Sequence, residues 1–207
     1  MGAKFDGKVV LVAGGTGGLG RAVALAFLGE GAKVAVTYRG QEEFDALKGA
    51  AAANGSNLEG HMVDVTDEVA ARQLVEKILA KHRALDAMVN TVGGYAGGTK
   101  LWELETKVFD QMLALNLRAG YALARAAVRA MLKAGRGSIV NVAAKAAFDH
   151  AAGAAAYAAS KSAFGMALRF ASVSMMLGRI VFTRTPVPFK SAARESSMAT
   201  AAALEAA

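Results

Sequence analysis

The chain has 207 residues, enough to bury one α/β core, and its 54% hydrophobic content with 23 glycines and 2 prolines excludes disorder and fibrous repeats. It has no cysteine, which excludes disulfides, thiolate metal sites and cysteine nucleophiles. Its net charge of +7 suits any polyanion, but the basic residues (Lys4, Lys8, Arg21, Lys33, Arg39, Lys77, Lys81, Arg83) are scattered without a run or an aromatic stripe, so no nucleic-acid partner is expected.

No apolar run reaches the roughly 18 residues of a membrane span, and the first residues carry no secretory apolar region. A cytoplasmic protein with no membrane partner is expected. Along the chain, short β-branched runs alternate with longer helical stretches, the pattern of βαβ units on a parallel sheet. Lys8–Ala13 reads as a buried strand ending in glycines, and Leu19–Leu28 as the helix after it. Lys33–Tyr38 is a second strand, followed by a helix over Gln41–Ala53. Leu58–Val63 is the third strand, Asp67–His82 an amphipathic helix and Asp86–Asn90 the fourth strand. The glycine-rich loop Gly93–Gly98 comes next, then one long helical stretch over Thr106–Leu132. Gly137–Val142 is the fifth strand, Ala154–Leu177 another helix, and Arg179–Thr183 a sixth strand. The expected architecture is an α/β doubly wound parallel sheet, a Rossmann fold of six strands in a single domain over 1–207, with its tail from residue 190 shortened or irregular. On such a sheet, ligands bind beyond the carboxyl ends of the strands, where the glycine loops after strands one and four both fall.

Strand one runs into Ala13-Gly-Gly-Thr-Gly-Gly-Leu-Gly20, which opens a helix. Glycines there permit a tight turn, close approach of backbone to a pyrophosphate and tight packing of helix on strand. The helix N-terminus adds free N–H groups and the positive end of its dipole. Gly14, Thr16, Gly17, Gly18, Leu19 and Gly20 are therefore candidate dinucleotide contacts, although a plain tight β–α turn uses the same residue types. The end of strand two bears on which cofactor binds. An acid there would accept from a ribose 2′-hydroxyl and repel a 2′-phosphate, whereas this chain has Tyr38-Arg39. Arg39 is either a forked partner for the 2′-phosphate or a solvated surface arginine. The missing acid favours NADP(H), with NAD(H) as the alternative, and makes Tyr38 and Arg39 candidate contacts.

Tyr157-Ala-Ala-Ser-Lys161 places a phenol and an ammonium four residues apart, on one face of a helix. A lysine charge beside a tyrosine favours the phenolate. Such a pair can give a proton to a carbonyl oxygen while a nicotinamide supplies hydride. The same spacing also arises from a core tyrosine and an exposed lysine.

With these motifs in place, the chain resembles the short-chain dehydrogenase/reductases from residue 7 to about 177. Gly14, Gly18 and Gly20 match that family's glycine pattern, with Ala13 where threonine is usual. The resemblance makes Asp64-Val65 the adenine-contacting pair and Asn90-Thr-Val-Gly93 the family's asparagine-glycine loop, matched at two of four positions, with Asn90, Val92 and Gly93 near the cofactor. It also makes Asn116 the asparagine that supports a proton relay, and Tyr157 and Lys161 the catalytic pair. No metal is implied. A small-molecule substrate and a homo-oligomer are.

Two departures stand out. The family's catalytic serine lies thirteen residues before the tyrosine, where this chain has Ala144. The segments Gly93-Gly-Tyr-Ala-Gly-Gly98 and Ala144-Lys-Ala-Ala-Phe-Asp149 are similar to dihydropteridine reductases, a branch with alanine at that position. The tail also lacks the family's Pro-Gly turn after the sixth strand, and Ala192–Ala207 reads as an alanine-rich helix or frayed end. His61, His82 and His150 show no metal-ligand spacing, and Glu103 and Glu105 read as a solvated helix start. Tyr95 and Trp102 either line the substrate pocket or pack ordinarily. The expected function is an NADP(H)-dependent reductase acting on a carbonyl or quinonoid C=N group. The alternative is a catalytically weak or inactive dinucleotide-binding protein.

Overall fold

Val9, Leu11 and Ala13 alternate with Val10 and Val12 along the first strand, and all five are buried. A strand buried on both faces belongs at the centre of a sheet covered on both sides. The computed structural model, which describes residues 3–148 and 152–170, shows this arrangement. Strands β1 (Val9–Ala13), β2 (Lys33–Tyr38), β3 (Leu58–Met62), β4 (Ala87–Asn90) and β5 (Ser138–Asn141) form one parallel sheet in the order β3-β2-β1-β4-β5. The strand order reverses between β1 and β4, which opens a crevice at their carboxyl ends.

The two faces of β1 lead into two cores. Val10 and Val12 pack with Ala24 and Leu28 of α1 (Gly18–Gly29) and Leu47 and Ala51 of α2 (Gln41–Ala51). Leu11 and Ala13 pack with Leu74, Val75 and Ile78 of α3 (Glu68–His82) and with Leu123 and Met131 of α5 (Ala119–Ala134). Each fully buried leucine or isoleucine contributes roughly 1.5–3 kcal/mol by leaving water. Asp67 starts α3 by accepting from the N–H groups of Val69 (2.7 Å) and Ala70 (3.1 Å).

Several boundaries differ from the expected ones. The helix expected over Gln41–Ala53 ends at Ala51, because Ala52 turns to a φ of +46° and a 3-10 turn over Ala52–Asn57 leads into β3. The stretch expected as one helix over Thr106–Leu132 is two, α4 (Thr106–Leu113) and α5, joined by a wider π-helical turn over Ala114–Arg118. The helix α6 is described over Ala155–Phe170; the expected remainder to Leu177 and the expected strand Arg179–Thr183 lie outside the described residues. Among the described residues, no helix is long and apolar enough to cross a membrane.

Glu59 on β3 gathers a lysine and two histidines at the sheet edge. Lys81 Nζ lies 2.8 Å and His82 Nε2 3.0 Å from its Oε2, and His61 Nε2 lies 3.0 Å from its Oε1. Burial alone would raise the Glu59 carboxyl, but the hydrogen bonds from Lys81 and His82 and the neighbouring charges outweigh it and hold it below its ordinary value. Burial holds His61 below its ordinary value of 6.5. Both groups bind protons more readily in the unfolded chain, so stability present at neutral pH is lost as pH falls. The loss starts near 6.5 for His61 and continues through the carboxylate range for Glu59. Urea-unfolding midpoints should therefore drop between about pH 7.5 and 5, and His61→Gln should flatten the upper part of that drop. A variant profile parallel to wild type would remove His61 from the cause.

Candidate active site

The chain leaves β1 through Gly14, whose φ of +75° suits glycine. Neighbouring strands hold the turn from both sides. Gly14 N–H donates to Thr37 Oγ1 (2.8 Å) and Gly15 N–H to the Thr37 carbonyl (3.1 Å). Thr91 Oγ1 donates to the Ala13 carbonyl (2.7 Å). Bare α-carbons are needed here: a Cβ on Gly15 would sit 2.5 Å from Val36, and one on Gly20 2.1 Å from the Gly14 oxygen. Gly18 differs, since a Cβ there meets nothing within 4 Å. Gly17, Gly18 and Leu19 are exposed at the start of α1, and Gly17 caps the helix without a side-chain bond. Open backbone at the start of a twelve-residue helix has the space and the donors to hold a pyrophosphate.

The strand ends beside this loop divide their roles. Tyr38 stacks on Phe44 at 4.7 Å, and its hydroxyl donates to Gln41 Oε1 (2.9 Å), so the ring is committed to α2. Arg39 is exposed. Asp64 is held below the ordinary carboxylate value by hydrogen bonds from the Thr66 hydroxyl (2.7 Å) and N–H (2.9 Å), with a smaller contribution from the Arg39 charge. The Val65 side chain is buried in the core, so its backbone is what a ligand could meet.

The catalytic candidates converge after β4. Asn90 is buried, and its Oδ1 accepts from Val92 N–H (3.1 Å), which shapes the start of the loop. Asn116, in the middle of the π-helical turn, is 2% exposed. Its Oδ1 accepts from Gly94 N–H (3.0 Å), and its Nδ2 donates to the Gly94 carbonyl (3.0 Å) and to Ser160 Oγ (3.0 Å). Ser160 Oγ in turn donates to the Tyr157 carbonyl (2.8 Å). A Cβ on Gly93 would lie 2.7 Å from Asn116 Oδ1 and 3.1 Å from Lys161 Nζ, so only glycine lets the loop pass this close.

Lys161 is buried, and its ammonium donates to the Val142 carbonyl (3.3 Å). Burial lowers its pKa, because removal from water disfavours the charged form. Tyr157, one helical turn earlier, is half-buried, with Tyr95 packed edge-on at 5.0 Å between ring centroids. Tyr95 is 70% exposed and Trp102 is 80% exposed, so neither is an ordinary core residue. Ala144 precedes the short turn Lys145–Ala147, onto which α6 docks through Ser162 Oγ donating to the Ala147 carbonyl (2.7 Å). No group of histidine and carboxylate side chains among the described residues is arranged to hold a metal.

The sequence matches the short chain dehydrogenase family over residues 8–183. The chain belongs to the short-chain dehydrogenase/reductase family. A short chain dehydrogenase/reductase of Macrophomina phaseolina, dpmpG, is 35% identical over 144 residues, 68% of this chain and 82% of the relative. A 3beta-hydroxysteroid dehydrogenase of Mediterraneibacter gnavus is 36% identical over 160 residues, 77% of this chain but 58% of the relative. Several of the curated relatives are thus matched over less than two thirds of their length. Among solved structures, a metagenomic short-chain oxidoreductase in complex with NADP has a TM-score of 0.76 at 33% identity, covering 81% of this chain and 76% of that one. An NAD+-bound xylitol dehydrogenase has a TM-score of 0.75 at 28% identity, covering 80% and 63%.

The structure brings Asn116 and Lys161 together at Gly93, links Asn116 through Ser160 to the Tyr157 carbonyl, and holds Gly14 and Gly15 by Thr37 and Ala13 by Thr91 at the neighbouring strand ends. The Tyr38 ring stacks on Phe44 of α2. Sequence reasoning missed Thr37, Thr91 and Ser160, which hold the backbone of this family member's site. Only the Ser-Lys adjacency hinted at Ser160, since its partner Asn116 is 44 residues away. Ser160→Ala leaves the Asn116 amide short of an acceptor in a buried place. We expect a stability loss of about 1–3 kcal/mol, read from urea unfolding, with larger loss of turnover than of cofactor affinity. Unchanged stability and turnover would dissociate Ser160 from the site.

Proposed function

We propose that this chain is an NADP(H)-dependent reductase of carbonyl or quinonoid C=N groups, with Tyr157 as proton donor. One observation carries this reading. A buried Lys161 ammonium and the half-buried Tyr157 lie one helical turn apart beside a loop that Asn116 fastens, at the strand edge that also bears an open glycine cradle. The cradle fits a dinucleotide, since Gly18 has room where a phosphate would approach and Gly15 and Gly20 have none for a side chain. NADP in the complex of the metagenomic relative agrees with this, as does Arg39 at the end of β2. The NAD+-bound relative keeps NAD(H) as the second choice.

A bound nicotinamide supplies the hydride. Gly14, Thr16, Gly17, Gly18, Leu19 and Gly20 would hold its phosphates, Tyr38 and Arg39 would stand toward the adenine ribose, and Asp64 and the Val65 backbone would bound the adenine. Asn90, Val92 and Gly93 shape the wall nearest the nicotinamide. Tyr157 passes its phenolic proton to the substrate oxygen or nitrogen as hydride reaches the adjacent carbon. The Lys161 charge stabilises the phenolate left behind. Its lowered pKa sets the alkaline limit: as pH rises through it the ammonium is lost, and with it that stabilisation. Tyr95 and Trp102 form an aromatic substrate wall, and the assembled protein is a homo-oligomer in the cytoplasm.

Ala144 supports a second reading, a dinucleotide-binding protein without strong catalysis. NADPH oxidation against ketones, 3-oxoacyl thioesters, quinones and quinonoid dihydropterin separates the two. Tyr157→Phe should abolish turnover and leave NADPH affinity within about twofold, since its hydroxyl acts on the proton rather than on binding. Retained turnover in that variant would remove Tyr157 from the mechanism. Ala144→Ser tests the missing hydroxyl separately. If the alanine belongs to a pterin-like site, quinonoid turnover stays level or falls. If an ordinary carbonyl site has lost its serine, ketone reduction rises roughly 10- to 100-fold, as one oriented donor allows.

A further inference from the structure

Glu43, in the first turn of α2, is used by neither the core nor the proton chemistry, yet its carboxylate reaches back to the glycine loop. Thr16 Oγ1 donates to Glu43 Oε2 at 3.0 Å. The Glu43 carboxylate carbon and Oε2 also lie 3.6 and 3.8 Å from where a Cβ on Gly40 would stand. The acid therefore sits between the loop after β1 and the segment that leaves β2.

That place is defined by the loop's own packing. Gly15 presses on Val36 and bonds to Thr37, so Thr16 stands beside the carboxyl end of β2. With a pyrophosphate at the start of α1, the adenine ribose would lie toward this strand end, and its 2′ substituent would meet the groups placed there. The Tyr38 ring stacks on Phe44 and its hydroxyl donates to Gln41. The exposed Arg39 follows Tyr38 in the chain, and the Thr16 hydroxyl and Glu43 carboxylate meet beside it.

We propose that Glu43 is a specificity residue for the 2′ position of the adenine ribose, opposing Arg39 and moderating the preference for NADP(H) over NAD(H). This rests on the dinucleotide reading above. A 2′-hydroxyl can donate to the carboxylate, whereas a 2′-phosphate carries about −1.5 to −2 charges and is repelled by it. Thr16 can serve a phosphate only by releasing Glu43. The strand-end acid that was missing from the sequence is thus supplied from the helix, five positions beyond Tyr38. Because the pair is exposed, salt screens the effect, and a few-fold change is expected.

The test compares wild type, Glu43→Gln and Glu42→Gln, the last removing an equal charge from the neighbouring residue. Dissociation constants are measured for NADPH, NADH, adenosine 2′,5′-bisphosphate and 5′-AMP at low and high salt. Glu43→Gln should raise the NADPH-over-NADH preference about three- to tenfold at low salt, with a smaller gain at high salt. The bisphosphate should gain likewise over 5′-AMP, and Glu42→Gln should shift less than Glu43→Gln. A ratio unchanged within twofold, or an equal shift in both variants, overturns the role of Glu43 while leaving the dinucleotide site standing. Absence of binding by either cofactor in wild type overturns both.

Discussion

A buried amide must satisfy its oxygen and its nitrogen inside the protein, and Asn116 does so across three separate pieces of chain. It bonds both backbone groups of Gly94 in the loop after β4 and the Ser160 hydroxyl in α6, from its own place in the turn joining α4 to α5. Leaving one such group unpaired costs about 1–3 kcal/mol. The loop and the helix bearing Tyr157 and Lys161 are thereby fixed relative to each other. Asn116 makes these bonds from within the widened turn at Ala114–Arg118, and π-helical turns are frequent at functional sites.

The glycine cradle is fixed by a different set of bonds. Thr37 from β2 and Thr91 from beyond β4 grip the chain as it leaves β1. These two strands flank β1 in the sheet, so the point where strand order reverses is also where the loop is held from both sides. A rigid loop keeps its open backbone pre-formed, so less ordering is needed when a ligand arrives.

The sheet was legible where punctuation and pattern agreed. Lys33–Tyr38 is a strand with the expected ends, because Gly31 and Gly40 bracket a β-branched run. The break in the Thr106–Leu132 stretch was not legible, since Ala114-Leu-Asn-Leu-Arg118 has ordinary helical composition and Asn116 finds its partner Gly94 only in the folded chain. Tyr157, Lys161 and the glycines could be read because their chemistry depends on short local spacing. Thr37, Thr91, Ser160 and Glu43 could not, because each acts through a partner brought near only by folding. The sixth strand expected over Arg179–Thr183 falls outside the described residues.

Ala144 takes on a narrower meaning in this setting. The Tyr157 carbonyl is held by Ser160, its ring is met by Tyr95, and its helix is docked by Ser162 on Ala147. None of these contacts uses the side chain at position 144. An alanine at position 144 therefore leaves the contacts that hold Tyr157 and its helix intact. A substrate that places its developing charge on a conjugated nitrogen or a delocalised ring needs that donor less than a simple ketone does, whose charge falls on one oxygen. The Tyr95 ring, largely exposed, packs edge-on against Tyr157 without help from position 144.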